Sequence, residues 1–418
     1  MERNIWIDRI RVILLIFLVS LSLFFTYNVW LHPVTGEKVT NQVNQVKDTT
    51  ELDTKKLFLA NQIVQHESGQ SNILIGNGLI KKVQDQISNM NFEKIGQLEM
   101  LSATNYSEAI NETGQIELVY PYAFTLDNYI KYYELNLDES DISMKAFNRI
   151  AINAKQNKLI FYNDDNRSML ETTVEFSQDK LTKLINQDGI ETIPVTLNQI
   201  DNHLMYLYQD QITLKKYNYI YSTQAQNIFK TLFFGNNNEV QTIDSQAEVN
   251  YLGNDSTRLI VNENTGIVTF KEIGKKEKSL EDSLTYVKAV SKELTNLRLF
   301  EKNDNYLQYL MFIEGYPIIN QDYKGQITFE VNAKQSVQTV RTNLEAIQVP
   351  IPTDATISLK PSQTIIDAIK TKDPSVKIEN ICIGYTWHSL GDNTQVVELV
   401  PEWFVKIDNE WRDTSDLM

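Results

Sequence analysis

The chain has 418 residues, of which 42% are hydrophobic and 10% aromatic, enough apolar material for sizeable cores and too much for a wholly disordered protein. Its 39 Lys and Arg against 54 Asp and Glu give a net charge of −15, which argues against a general nucleic-acid binder, since that function needs a basic face to neutralise phosphates. The one cysteine, Cys382, cannot form an intramolecular disulfide, a cysteine zinc site or an iron–sulfur cluster, and no GxxxxGK[ST] or GxGxxG phosphate loop occurs.

The first predicted element is Val12–Trp30, 19 residues without a charge. At 1.5 Å per residue this is about 28 Å of helix, close to the hydrocarbon thickness of a bilayer. Trp6 before it and Tyr27 and Trp30 at its end lie where an aromatic belt would sit. Arg3, Arg9 and Arg11 precede the run, whereas only Lys38, beside Glu37, follows it closely, so the positive-inside rule places the N-terminus in the cytoplasm. A cleaved signal peptide fits less well. Thr26–Trp30 lacks a small-x-small site, and cleavage at Ser20-Leu21-Ser22 would leave a very short apolar region. No cysteine follows for lipid attachment. The expectation is a cytoplasmic tail (1–11), a transmembrane anchor (12–30) and a polar linker (31–56) leading to an acidic extracytoplasmic body.

Three α+β domains of antiparallel sheet with packed helices are expected beyond the linker, at 57–188, 189–277 and 278–418. In the first, Leu79–Met90 has helical apolar spacing, and Ile116–Tyr120 reads as a strand ended by Pro121. A helix over Thr125–Tyr133 capped by Thr125, strands at Phe147–Ile152, Lys158–Tyr162 and Thr172–Phe176, and a helix over Asp179–Asn186 follow. The second has strands at Ile193–Leu197 and Leu204–Tyr208 and a helix over Thr223–Phe234. Four short strands then follow at Val240–Ile243, Ala247–Leu252, Thr257–Val261 and Gly266–Phe270. The charged stretch Lys271–Lys278 reads as a break. After it come a long amphipathic helix, Leu280–Leu299, and strands at Tyr306–Glu314, Gly325–Asn332 and Ser336–Arg341. A helix at Ser362–Lys370 and strands at Ile378–His388 and Thr394–Ile407 complete the third.

Chemistry is sparse. The histidines His32, His66, His203 and His388 share no metal-ligand spacing, and His66-Glu67 is a bare dipeptide. Ser177-Gln178-Asp179-Lys180 matches SxxK, but the companion Lys-Thr-Gly is absent and Ser177 reads better as a helix N-cap. Asp138–Asp141 and Asp164-Asp165 lack EF-hand spacing and read as solvated loops. Trp387, Trp403 and Trp411 read as core by default, with a ligand-stacking platform as the alternative. Cys382 reads as a core residue of its strand. Within the anchor, Ser22 and Thr26 are four apart and share a helical face. Small hydroxylated residues at that spacing serve helix–helix association in membranes, although such residues are also tolerated by bonding back to their own helix. No catalytic, cofactor-binding or metal-binding set is expected.

Several stretches together carry a family resemblance: Ile116–Pro121 (IELVYP) with Phe147–Ile150 (FNRI), Asn227–Val240 with Tyr251–Asp255 and Arg258-Leu259, Gly315–Ile318 (GYPI), Ile378–Tyr385 (IENICIGY) and Leu399–Trp403 (LVPEW). In this order, behind a single N-terminal span, they resemble the YycH (WalH) family over essentially the whole chain. The resemblance implies a non-enzymatic, membrane-anchored extracytoplasmic regulator of the WalK/WalR two-component system of low-GC Gram-positive bacteria. It implies a three-domain α+β fold and association with the sensor kinase WalK (YycG) and the related protein YycI, largely through transmembrane helices. The direction of regulation does not transfer, because members differ in it, and the family has no catalytic residues to carry over. This chain departs from the family pattern at Ser256, which stands where the family has a glycine after the Asp. An anchored binding module for a cell-wall or lipid-linked ligand is the alternative expectation, and a wall-active enzyme the third.

Overall fold

A computed structural model describes residues 53–418 apart from 68, 138–142, 236–238, 246, 254–255, 275–279, 291–293, 392–393, 416 and 418; before residue 53 it describes only Leu15 and Val19. Among the described residues there are eight helices and twenty-five strands. The helices of the body are α1 (Thr54–Leu57), α2 (Leu79–Ser88), α3 (Ala103–Ile110), α4 (Leu126–Tyr133), α5 (Gln178–Ile185), α6 (Gln226–Phe234), α7 (Leu280–Val290) and α8 (Ser362–Lys372). The class is α+β, as the sequence pattern implies.

Nine strands form the first sheet: β1 (Gln62–Glu67), β2 (Gln70–Ile75), β3 (Asn91–Met100), β4 (Gln115–Thr125), β5 (Ala146–Asn153), β6 (Lys158–Asn163), β7 (Ser168–Glu175), β8 (Glu191–Ile200) and β9 (His203–Tyr208). Their spatial order is β3-β7-β6-β5-β4-β1-β2-β8-β9, with antiparallel pairing. The expected division at residue 188 therefore falls inside one sheet, because β8 pairs with β2, Ile73 opposite Ile193. A ribbon of β10 (Ile212–Lys215) with a later strand follows, and then β11 (Tyr217–Thr223).

The next strands are β12 (Gln241–Asp244), β13 (Glu248–Leu252), β14 (Thr257–Asn262), β15 (Ile267–Ile273), β16 (Leu297–Lys302), β17 (Tyr306–Ile313), β18 (Tyr316–Pro317), β19 (Gln326–Asn332) and β20 (Val337–Asn343). They make a second sheet, β12-β13-β14-β15-β20-β19-β17-β16, with β18 beside β17. The expected division at 277 also falls inside a sheet, since β15 pairs with β20 from Ile267 opposite Asn343 to Ile273 opposite Val337. The pairing of β15 is set by partners about seventy residues on, beyond the charged stretch of the sequence. The last strands are β21 (Glu345–Ile351), β22 (Thr356–Leu359), β23 (Asn380–Ser389), β24 (Val396–Ile407) and β25 (Glu410–Asp413). They give a sheet ordered β21-β11-β24-β23 with β25 beside β24, and β22 completes the ribbon with β10.

Three elements differ from expectation for physical reasons. The helix expected over Leu280–Leu299 is described over Leu280–Val290, residues 291–293 lie outside the described residues, and Leu297 begins β16 instead. Leu297 and Leu299 lie opposite Met311 and Tyr309 of β17, all buried, so strand pairing gives these leucines the same burial that a helix face would. Asn296, at φ 52°, makes the turn between the two elements. The strand expected to stop at Pro121 continues to Thr125 through an irregularity between Val119 and Phe124, the kind of site where a strand tolerates proline. The helix expected from Thr223 starts at Gln226, because Thr223 closes β11 against Glu345.

The two faces of the first sheet are packed differently. One face holds an aromatic core in which Phe147 lies 5.1 Å from Tyr129 and 5.1 Å from Phe161, and Phe58 lies 4.5 Å from Tyr132 (centroid distances). Full burial of each such ring stabilises by roughly 1.5–3 kcal/mol. Helix α2 joins this side through Leu79, Val83 and Ile87, spaced on one helical stripe; its buried Gln84 donates to the Tyr129 hydroxyl at 2.7 Å. The opposite face carries α3, whose Tyr106 and Ile110 pack on Ala151, Ile160 and Tyr162. The candidate site opens from that second face, where Tyr106, Arg149 and Asp164 line a cavity.

Candidate functional site

Strand alternation puts Val64, Glu117 and Ala151 side by side on the α3 face, with His66 and Arg149 one step along their strands. A cluster of charges thus forms where hydrophobic residues would be expected. The Arg149 guanidinium, 1% exposed, donates from Nη1 to Glu117 Oε1 at 2.8 Å and from Nε to the two oxygens of Asp164 at 2.7 and 2.8 Å. His66 Nε2 lies 3.3 Å from Glu117 Oε2 and its Nδ1 lies 3.0 Å from Ser71 Oγ. The Tyr206 hydroxyl donates to the same Glu117 oxygen, and the Tyr106 hydroxyl donates to Asp164 at 2.7 Å.

The electrostatics follow from this geometry. Burial alone would raise the Glu117 pKa, but the Arg149 guanidinium beside it, with hydrogen bonds from His66 and Tyr206, holds the carboxyl down at about 2. Burial would lower Arg149, yet Asp164 and Glu117 raise it well above its ordinary value. Burial and Asp164 push the Tyr106 phenol far up, and burial and Glu117 do the same for Tyr206. At neutral pH the cluster is therefore a fixed carboxylate–guanidinium–carboxylate array with protonated phenols, which favours holding geometry over moving protons.

A cavity of about 640 Å³ lies over this array, within the size range of small-molecule sites. The first sheet supplies one wall, with Tyr106, Arg149, Asp164 and Tyr206 on it and the irregular stretch of β4, Tyr120–Ala123, beside them. Segments from β16, β18, β23 and β25 supply the other, including Lys302, Tyr316, Ile383 and Trp411. Two tight turns at positive φ, Asp201-Asn202 (46° and 77°) and Asp408-Asn409 (52° and 61°), join β8 to β9 and β24 to β25, and Asn202 and Asn409 both line the cavity. On the far wall Lys406 Nζ lies 2.8 Å from Glu301 Oε1, and the Trp411 indole donates to Glu301 Oε2 at 3.1 Å.

Ser22 and Thr26, the partner-binding residues expected from sequence, lie outside the described residues, as does most of the Val12–Trp30 run. Leu15 and Val19 are described, both helical and both exposed. Among the described residues no helix is long and apolar enough to cross a membrane. Ser177 stands at the N-cap of α5 but its side chain makes no capping bond. The solvated-loop reading fails for Asp164, which is an ion-pair partner of Arg149, and holds for exposed Asp165. Trp387 and Trp403 are buried, the Trp403 indole donating to Lys360 O at 2.9 Å, whereas Trp411 lines the cavity. Cys382 packs against the Phe300–Phe404 cluster, and burial pushes its thiol up, away from reactivity. Among the described residues no group of three or more His, Cys, Asp and Glu is placed to hold a metal ion.

Sequence reasoning passed over His66, Glu117 and Arg149 as a set, yet a signal existed. Glu117 sits inside IELVYP and Arg149 inside FNRI, each a lone charge in an apolar strand, and the register places Val119 opposite Arg149. The two motifs that carry the family resemblance are thus neighbours in space, and their charges meet.

The B. subtilis (strain 168) protein named "Two-component system WalR/WalK regulatory protein YycH" is 22% identical over 449 residues, covering 96% of this chain and 95% of that protein. The crystal structure of YycH from Bacillus subtilis superposes with a TM-score of 0.70 at 15% identity, over 86% of this chain and 96% of that one, and so shares the fold. The family model for the YycH protein N-terminal domain matches residues 8–190, and that for its C-terminal domain matches residues 201–417. With both halves of the family pattern present in order, the chain belongs to the YycH family.

Proposed function

We propose that this protein regulates a WalR/WalK-type two-component system by contact, without catalysis of its own, from a single-pass position in the cell membrane. In this reading Val12–Trp30 spans the bilayer, residues 1–11 are cytoplasmic and the folded body lies outside the cytoplasm. The partners are the sensor kinase WalK (YycG) and the related protein YycI, met mainly through transmembrane helices. The observation that carries the reading is the family match across nearly the whole chain, joined to a named regulatory relative aligned from end to end.

Physically, a kinase with two signalling states is shifted by an accessory helix only if that helix binds one state better than the other. Ser22 and Thr26, on one face of the anchor, are the proposed contact. Replacing both with Leu and measuring co-purification with the kinase tests this face: the reading expects weaker association and altered signalling. Unchanged association and signalling contradict the Ser22–Thr26 face. A scrambled apolar anchor that still regulates fully contradicts the transmembrane route.

A further inference from the structure

The second sheet has an apolar face and a polar one. On the apolar face Phe233 of α6 stacks on Phe270 at 4.5 Å between centroids, and Tyr286 of α7 lies 5.9 Å from Phe329. Strand alternation turns the row Gln308, Thr328, Arg341 and Thr269 to the other face, across β17, β19, β20 and β15. A groove of about 1050 Å³ lies on that polar face, lined also by the loop 320–324 and by β25 with Trp411.

Charge in this groove is already matched. Glu301 is held by Lys406 and Trp411, and Glu330 accepts from Arg341 Nη1 at 2.9 Å. Glu410 accepts from Arg412 at 3.0 Å, and Asp413 accepts from the Ser415 backbone at 3.0 Å. Lys334 is exposed and screened by solvent. Among the described residues no half-buried charge of the lining is therefore left over to select an ion. The floor strands β17, β19 and β20 are each paired on both sides, so they have no backbone edge for a peptide strand.

The side chains that remain are amides and aromatic rings. Gln308, half-buried, donates from Nε2 to Gln326 Oε1 at 2.7 Å, which leaves its own Oε1 as an acceptor. Asn305, Gln321 and Asn409 are exposed on the rim. An amide carries donor and acceptor side by side, matching neighbouring hydroxyls on a sugar ring. Tyr306, Tyr323 and Trp411 are half-buried in the same lining, and Trp411 is the C-terminal tryptophan that the core does not absorb.

Tyr323 is held in a costly conformation. Its φ of 59° is left-handed, a region that bulky residues avoid. Bonds around the loop impose it. Asn320 Nδ2 donates to Lys324 O at 2.6 Å, Lys324 N donates back to Asn320 Oδ1 at 3.0 Å, and Asn343 Nδ2 donates to Asp322 O at 2.7 Å. The ring is thereby fixed with its centroid 5.9 Å from Arg341 Cζ, where its position is set before any ligand arrives.

We infer that this groove binds a neutral oligosaccharide, with sugar ring faces on Tyr323 and Trp411 and hydroxyls on Arg341, Gln308 and the rim amides. The inference is independent of the proposed kinase contact, and its test does not involve the kinase.

The test is calorimetric titration of the full-length chain in nanodiscs of zwitterionic lipid with maltotetraose, cellotetraose and chitotetraose. Saturable binding of at least one probe is expected, with a Kd below about 1 mM. Tyr323→Gly should weaken it at least tenfold and Arg341→Met several-fold. The Tyr323→Gly chain should melt within a few degrees of wild type, because glycine takes the left-handed φ without strain. Tenfold tighter binding of chitotetraose than of cellotetraose supports the site with acetamido recognition. Equal binding of those two supports it with recognition of ring hydroxyls, and a preference for maltotetraose supports it with an α-linked chain. No saturable binding of any probe overturns the inference, as does binding that neither substitution changes.

Discussion

The first sheet buries an arginine and strand β16 half-buries another, and the two are solvated by the protein in opposite ways. Arg149 on β5 has two carboxylates, Glu117 and Asp164, in direct contact, and they raise its pKa against the effect of burial. Arg298 on β16 has a carbonyl, Ala60 O at 3.4 Å, and the face of Phe312, 4.6 Å from ring centroid to Cζ; burial lowers its pKa to about 10. Both remain cationic at neutral pH. The first is part of a closed ionic array whose members depend on one another, whereas the second is a cation tolerated by a dipole and a π face.

The difference is tested most severely by removing each charge. Arg149→Leu leaves the Glu117 carboxylate buried without its cation, and urea unfolding should show a loss of about 3–5 kcal/mol. The double substitution Glu117→Gln with Arg149→Met should recover a large part of that loss, because the fully buried Glu117 charge is removed with its partner and only Asp164, whose side chain is 20% exposed, is left without a cation; equal losses in the single and double variants would mean that the pair is not coupled. The pH dependence is next in size. The Glu117 carboxyl falls from an ordinary 4.5 to about 2 in the folded protein, so it contributes stability that is present above about 4.5 and lost as the pH falls towards 2. The contribution is on the order of 3 kcal/mol, and Glu117→Gln should flatten the unfolding profile in that window. For Arg298→Met the expected change is within about 1 kcal/mol, neutral or stabilising, and a loss comparable to that of Arg149→Leu would end the contrast drawn here.

The same distinction between partnered and unpartnered groups appears in the helix caps. Ser102 Oγ accepts from Asn105 N at 3.2 Å at the start of α3, whereas Ser177 occupies the corresponding position of α5 without a bond. Ser102→Ala should cost about 1 kcal/mol and Ser177→Ala close to nothing in the same unfolding assay.

What the sequence revealed and what it hid divide along similar lines. Local patterns were legible: the apolar stripe of α2, the short apolar runs of β5 and β6, and the turn residues between β13, β14 and β15 place those elements within a few residues of where they lie. Pairing between distant segments was not. Nothing local in Glu191–Ile200 says that it joins β2, and nothing in the charged stretch after β15 says that β20 returns beside it. Leu297 satisfies both a helical and a strand pattern, and only β17 opposite decides between them. At the site, His66 looks idle until Glu117 is beside it, and Tyr122 is placed by an irregularity in β4 that the IELVYP run does not announce. Lone charges inside apolar strands were the legible trace of the array, and they lay within the segments that marked the family.

The most direct test of the regulatory reading is photo-crosslinking from the anchor in intact membranes, with the crosslinking residue placed at position 22 or 26 and the captured protein identified by mass spectrometry. The account predicts capture of the WalK-type sensor kinase, lost when the photoreactive group is moved to the opposite helical face. Efficient crosslinking that never yields the kinase from either face would contradict it.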